Sequence, residues 1–281
     1  MSKADRDGAA SSVPMSPAPP KIQPVRMGPE AATFVPSGCR DCRNREPLDI
    51  GITMAFQPIV QASTRSIHGY EALVRGVGQE PAGVVLGKVT QENVYSFDQT
   101  CRVLAIDLAS RLGLSGMLSI NFLPNAVYRP ETCIRATLEA AEQSGFPTER
   151  LMFEVTESER IVDSAHLKSI FAEYKRRGFT VAIDDFGAGY SGLNLLAEFQ
   201  PDVIKLDMAL TRGFDGDKVR RAIVGGILSV CADLSIRVVA EGIETRAEYE
   251  ALTGEGVDYF QGYYFARPGF EHLPEVDENV W

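Results

Sequence analysis

From about residue 48 onward, short apolar runs alternate with stretches whose apolar positions recur every three or four residues, the texture of a repeating strand-helix chain. Eight runs read as strands: 54–60, 69–75, 117–122, 151–156, 180–186, 203–208, 237–243 and 259–265. Helical spacing fills most of the gaps, at 97–112, 130–144, 163–177 and 192–199. The clearest repeat sets Val219, Ala222, Ile223, Gly226, Ile227, Val230, Cys231 and Leu234 on one face, which predicts that this face lies against the sheet. Eight strands with intervening helices predict an α/β fold, a modified TIM (βα)8 barrel. Only residues 61–68 separate the first two strands, too few for a helical crossover, so the first strand is expected to run antiparallel to its neighbours.

Nearly every strand in this scheme ends in a carboxylate, amide or amine: Glu71, Asn121, Glu154, Asp184 with Asp185, Lys205 with Asp207, Glu241 with Glu244, and Gln261. Taken singly, each acidic residue would more often face solvent or cap the next helix. Their recurrence at one end of the strands is more telling, because a barrel gathers those ends at one mouth. Carboxylates crowded there repel one another unless cations intervene, and oxygen-only ligands select hard ions such as Mg²⁺ or Mn²⁺. The adjacent pair Asp184 and Asp185 can both reach the mouth only if the strand ends there, and Phe186-Gly187-Ala188-Gly189 supplies a flexible turn just beyond. Lys205 is also where a Schiff-base enzyme would place its amine, but the surrounding carboxylates would keep it protonated.

Composition narrows the partners. With 44% hydrophobic and 23% charged residues the chain reads as an ordinary globular protein, and a formal net charge of −10 offers no cationic field for a DNA or RNA polymer. Something other than bulk charge would have to attract an anionic ligand, and bound divalent cations would do so. No run approaches the length of a spanning helix, so no membrane insertion is expected. Five scattered cysteines fit a reducing, cytoplasmic setting. Residues 1–46 read as a flexible Pro/Ser/Ala-rich N-terminal segment carrying Cys39-Arg40-Asp41-Cys42, and residues 47–281 as the barrel. Two thiols alone do not complete a zinc site, so Cys39 and Cys42 read as surface cysteines. His68, His166 and His272 have no ligand spacing.

Seven segments then fall in one order: Gln57-Pro58-Ile59-Val60, Tyr70-Glu71-Ala72-Leu73-Val74-Arg75, Phe153-Glu154-Val155-Thr156-Glu157, Asp184-Asp185-Phe186-Gly187, Ile204-Lys205-Leu206-Asp207, Ala240-Glu241-Gly242-Ile243-Glu244 and Gln261-Gly262-Tyr263-Tyr264-Phe265. Together they closely resemble the EAL family of cyclic di-GMP phosphodiesterases. The resemblance implies a barrel with a reversed first strand, two divalent cations (Mg²⁺ or Mn²⁺), and hydrolysis of cyclic di-GMP to the linear dinucleotide 5'-pGpG. It implies a metal shell of Glu71, Asn121, Glu154, Asp184, Asp185 and Glu241, with Asp184 bridging. Lys205 and Gln261 are implied as partners of the nucleophilic water, beside Glu241, and Glu157 as the residue that steadies the Gly187 loop. Gln57, Leu73, Arg75, Asp207 and Glu244 resemble substrate contacts. The family often pairs through the barrel, so the resemblance admits a homodimer, and its degenerate members are receptors that bind the dinucleotide without cleaving it. Two departures stand out: Gln61 where Asp is frequent, and Ala188 with Tyr190 in a loop where Thr and a second Ser are more usual.

Overall fold

The computed structural model describes residues 50–157, 164–189 and 192–281; the N-terminal segment with Cys39 and Cys42 lies outside the described residues. Eight strands close into a barrel: β1 (Ile52–Gln61), β2 (Ser66–Gly76), β3 (Met117–Asn121), β4 (Leu151–Thr156), β5 (Thr180–Phe186), β6 (Val203–Leu206), β7 (Arg237–Ala240) and β8 (Tyr259–Phe260). As expected, β1 runs antiparallel to both neighbours, β2 and β8, whereas the pairings from β2 round to β8 are parallel. The cause is local: Gln61 pairs with Ser66 across a tight turn, and a hairpin can only reverse the chain. A short β9 (Gly269–Phe270) adds to β1.

Strand alternation explains how the interior is layered. Ile59, Met152, Ala182, Val203 and Val239, with Met117 and Tyr259 against them, form an apolar plug inside the barrel. Two residues further toward the mouth on the same strands stand Gln57, Glu154, Asp184, Lys205, Glu241 and Gln261. The polar layer is thus floored by packed apolar side chains. The residues between them, such as Phe153, Ile183, Ile204 and Phe260, point outward into the main core under the helices.

The helices are α1 (Ala82–Leu86), α2 (Val94–Arg111), α3 (Pro130–Cys133), α4 (Arg135–Ser144), α5 (Ser164–Arg176), α6 (Gly192–Glu198), α7 (Met208–Thr211), α8 (Lys218–Asp233) and α9 (Arg246–Gly254). Three expectations need correction. The helix expected at 130–144 is two pieces meeting at the fully buried Ile134. The last three strands are shorter than their apolar runs, because Asp207 turns the chain into α7 by accepting from the Ala209 amide at 2.8 Å, and the segments past Ala240 and Phe260 bend after Gln261 N donates to Ala240 O at 2.9 Å. The apolar face expected of α8 also packs only in part: Ile227 and Cys231 are buried, joined by Val224, whereas Val219, Ile223, Val230 and Leu234 are exposed. The helix is turned so that 224, 227 and 231 meet the barrel, and its apolar surface is wider than the face the barrel covers.

Candidate metal centre at the barrel mouth

The middle of β2 and the ends of β4, β5, β6, β7 and β8 bring Glu71, Glu154, Asp184, Lys205, Glu241 and Gln261 together. Lys205 is fully buried, and its Nζ lies 3.2 Å from Glu71 Oε2, 2.9 Å from Glu154 Oε2, 3.1 Å from Asp184 Oδ1 and 2.8 Å from Glu241 Oε1. Glu71 is the hub, since its Oε1 accepts from Asn121 Nδ2 at 2.7 Å and its Oε2 from Gln261 Nε2 at 2.7 Å. Gln57 joins from β1, its Oε1 3.4 Å from Gln261 Nε2 while its own amide donates to Ala266 O.

A distortion in β5 delivers the aspartate pair. Ile183 pairs with Ile204 and Phe186 with Leu206, so three steps on β5 oppose two on β6: a bulge. Within it Asp185 takes φ +53°, a left-handed conformation that Asp tolerates better than most residues. Asp184 and Asp185 can therefore both serve the mouth, against strict alternation.

The acidic side chains form two trios, Glu71-Glu154-Asp184 and Asp184-Asp185-Glu241, each offering oxygens within 4.8 Å of one another and sharing Asp184. Among the described residues, Glu154 Oε1 and Asp184 Oδ1 are buried acceptors without a hydrogen-bond donor, although the Lys205 ammonium sits 3.1 Å from the latter. Orphaned acceptors in an all-oxygen set suit a hard divalent cation, so the residues present fit the group. The electrostatics agree. Burial, reinforced by Glu71 and Asp184 and opposed by Lys205, pushes Glu154 up to about 8. Burial and the neighbouring Asp184 and Asp207 carry Asp185 up to about 6. Glu241 is raised well above the carboxylate range by burial and Asp184. Burial disfavours the Lys205 charge, but Asp184, Glu154, Glu241 and Glu71 outweigh it and hold the amine protonated, which removes the Schiff-base reading.

Glu157, just past β4, steadies the loop after β5. Its Oε2 accepts from Gly187 N at 2.7 Å and its Oε1 from Gly192 N at 2.6 Å, the first amide of α6. Gly187 has φ +99°, a backbone conformation that strains any residue with a Cβ, and a Cβ there would also meet the Leu210 side chain, so the position favours glycine.

The residues expected at the substrate are less tightly gathered. Leu73 lines an apolar cavity of about 410 Å³ that opens beside Glu71, Asn121 and Asp184 and runs outward past Phe97, Ile120 and Phe122. Arg75 Nη1 donates to Val74 O at 2.8 Å. Asp207 caps α7 and is close enough to raise Asp185. The half-exposed Glu244 pairs with Arg212 at 2.7 Å. Arg212 escaped the sequence reading, as did Glu248, which accepts from the amides of Gly213, Glu244 and Thr245 and so ties two mouth loops together. The Thr245-x-x-Glu248 spacing was its available signal, a capping box that the structure contains.

A family model described as EAL domain matches residues 45–268. The chain belongs to the EAL domain family. Among curated relatives, the blue light- and temperature-regulated antirepressor BluF of Escherichia coli (strain K12) is 33% identical over 223 residues, which cover 79% of this chain and 55% of BluF. The probable cyclic di-GMP phosphodiesterase PdeG of the same organism is 29% identical over 223 residues, 76% of this chain and 44% of PdeG. The chain thus spans about half, or less, of the length of these curated relatives. Among solved structures, a standalone versatile EAL protein from Vibrio cholerae O395 in its c-di-GMP bound form superposes with a TM-score of 0.81 at 55% identity, covering 83% of this chain and 99% of that one. BlrP1 of Klebsiella pneumoniae, in a manganese/cy-diGMP complex, gives a TM-score of 0.76 at 33% identity over 83% of this chain and 60% of its own.

Proposed function

We propose that this EAL domain is a metal-dependent phosphodiesterase that hydrolyses cyclic di-GMP to linear 5'-pGpG, and so lowers the concentration of that messenger in the cytoplasm. The observation that carries the reading is the pair of carboxylate trios sharing Asp184, with the Lys205 ammonium between them. The manganese and calcium complexes of BlrP1 with the dinucleotide support the ligand and a place for divalent ions beside it. Glu71, Asn121, Glu154, Asp184, Asp185 and Glu241 would hold two Mg²⁺ or Mn²⁺ ions, Asp184 belonging to both carboxylate trios. Such a pair, when bound, would lower the pKa of a water and stabilise the attacking and leaving oxygens.

The rest falls to the chain's own groups. Lys205 presents a permanent positive charge to the reacting phosphate, and Gln261, hydrogen-bonded to Glu71, orients the attacking water with it. One P–O bond to a ribose 3'-oxygen breaks as the water oxygen bonds to phosphorus, and a proton passes to the leaving oxygen. Arg75 offers a planar fork to a phosphate, Gln57, Asp207 and Glu244 offer polar contacts, and the apolar cavity beside Leu73 takes part of the nucleoside. Glu157 holds the Gly187 loop against the carboxylates. Pairing of two barrels belongs to the same reading and is supported by the uncovered apolar stripe of α8.

Incubation with cyclic di-GMP and Mg²⁺ or Mn²⁺, with separation of the products, tests the proposal; 5'-pGpG is expected, and none in excess chelator. A second reading, a receptor that binds cyclic di-GMP and relays it to a protein partner, takes its support from BluF, which is named as an antirepressor. Tight binding without cleavage under any divalent ion would favour it.

A further inference from the structure

Behind the mouth, on the outer side of β3 and β4, lies a fully buried ion pair that touches none of the proposed metal-holding side chains, although its Asp98 borders the apolar cavity beside Leu73. Arg102 and Asp98 both sit on α2, their Nη2 and Oδ2 atoms 2.7 Å apart with side chains 0% and 1% exposed. The guanidinium lies over the rings of Phe122, Phe153 and Tyr174, with its carbon 5.4, 5.4 and 5.9 Å from their centroids, and Nη1 donates to the Tyr174 hydroxyl at 2.7 Å. Phe122 and Phe153 are the immediate neighbours of Asn121 and Glu154. Alternation turns the two aromatic rings outward onto Arg102 and the two polar side chains inward to the mouth. The other oxygen of the pair, Asp98 Oδ1, accepts from Leu123 N at 2.9 Å. The last ladder bond of β3 is made one residue earlier, by Phe122 N to Glu154 O at 3.0 Å, so Leu123 is where the chain leaves the sheet.

Such a pair is poorly explained by stability, since replacing a buried ion pair with apolar residues of similar volume is often neutral or stabilising. What apolar residues cannot supply is an acceptor for the Leu123 amide. We propose that Asp98, clamped by Arg102, is a positioning residue: by fixing the chain exit after β3 it sets the Asn121 amide, and through the Asn121-to-Glu71 hydrogen bond the oxygens that would hold divalent cations. The proposal rests on the metal reading of the mouth. Supports behind a ligand typically change metal affinity by about 10- to 100-fold when removed.

The test compares two charge-neutral double variants of the full chain, Asp98→Asn/Arg102→Met and Asp98→Leu/Arg102→Met, titrated calorimetrically with Ca²⁺ and Mn²⁺ without substrate, well below their melting temperatures. Both lose the buried charges and the contact to Tyr174, and only the first keeps an acceptor for Leu123. Parental affinity in the first and a loss of about 10- to 100-fold in the second is the expected result. Equal affinities in the two overturn the inference while leaving the metal reading intact. A parent without saturable binding overturns both. If the leucine variant does not fold, hydrogen exchange in the parent decides: the Leu123 amide is expected to be protected and to slow further with Ca²⁺, and rapid exchange unaffected by the ion overturns the inference.

Discussion

Lys205 Nζ has one oxygen each of Glu71, Glu154, Asp184 and Glu241 within 3.2 Å, so before any ion binds it is the cation that compensates the carboxylates. Removing one partner of a buried charge set costs about 3 to 5 kcal/mol, because the others are left uncompensated. Lys205→Met is therefore expected to lower the melting temperature of the metal-free protein strongly, and saturating Ca²⁺ to recover most of the loss, both readable in a thermal scan. In the loaded protein the missing charge should appear in turnover: kcat is expected to fall about 10²-fold or more, with the Kd for cyclic di-GMP changed much less. Parental turnover in this variant would remove the lysine from the reaction. Arg75→Lys should behave in the opposite sense, weakening binding more than kcat, since a planar fork already serves the bound ground state; calorimetry with Ca²⁺ beside hydrolysis with Mg²⁺ separates the two.

At the scale of elements, the bulge in β5 and the loop pinned by Glu157 carry most of what distinguishes this mouth from a plain barrel end. Asp185 needs both its charge and a left-handed backbone, φ +53°. Asn shares that backbone tolerance, so Asp185→Asn should fold with near-parental stability yet lose affinity for one of two Mn²⁺ ions, whereas Asp185→Val should also lose roughly 1 to 3 kcal/mol to strain. Stoichiometry by calorimetry and a denaturant melt distinguish the cases; equal stability of the two variants would show that the turn is not strained. Most of this level was legible in the sequence. The strand positions, the reversed β1 and the row of polar residues follow from period-two alternation and a short hairpin. The bulge was not, since nothing in Ile183-Asp184-Asp185-Phe186 by itself states that three residues will oppose two. Nor was the rotation of α8, where Val219, Ile223, Val230 and Leu234 compete on equal terms with Val224, Ile227 and Cys231, and the neighbouring strand decides. Arg212 and Glu248 stayed hidden because their partners lie on other loops.

For the whole molecule, charge sets the working conditions. A chain of net charge −10 offers an anionic dinucleotide no attraction of its own, which cations at the mouth would supply. Two of the carboxylates that would hold those cations are protonated more readily than usual, Asp185 up to about 6 and Glu154 up to about 8. In the unfolded chain the same groups ionise near 4. Their raised folded values therefore stabilise the metal-free fold fully only below about pH 4, and that contribution is lost as pH climbs through 6 and then 8. Cation binding has the reverse dependence, since the ligands must first give up protons, so affinity should rise across the same window. At 100 times its Kd a cation adds about 2.7 kcal/mol, a rise of roughly 5 to 10 °C for a domain of this size. The expected outcome is a melting temperature that Ca²⁺ raises by several degrees at pH 8.5 and much less at pH 6, at one fixed Ca²⁺ concentration, with the metal-free curve declining between the two. An equal shift at both pH values would mean that Glu154 and Asp185 are already ionised at pH 6, and that Lys205 alone suffices to keep the mouth charged.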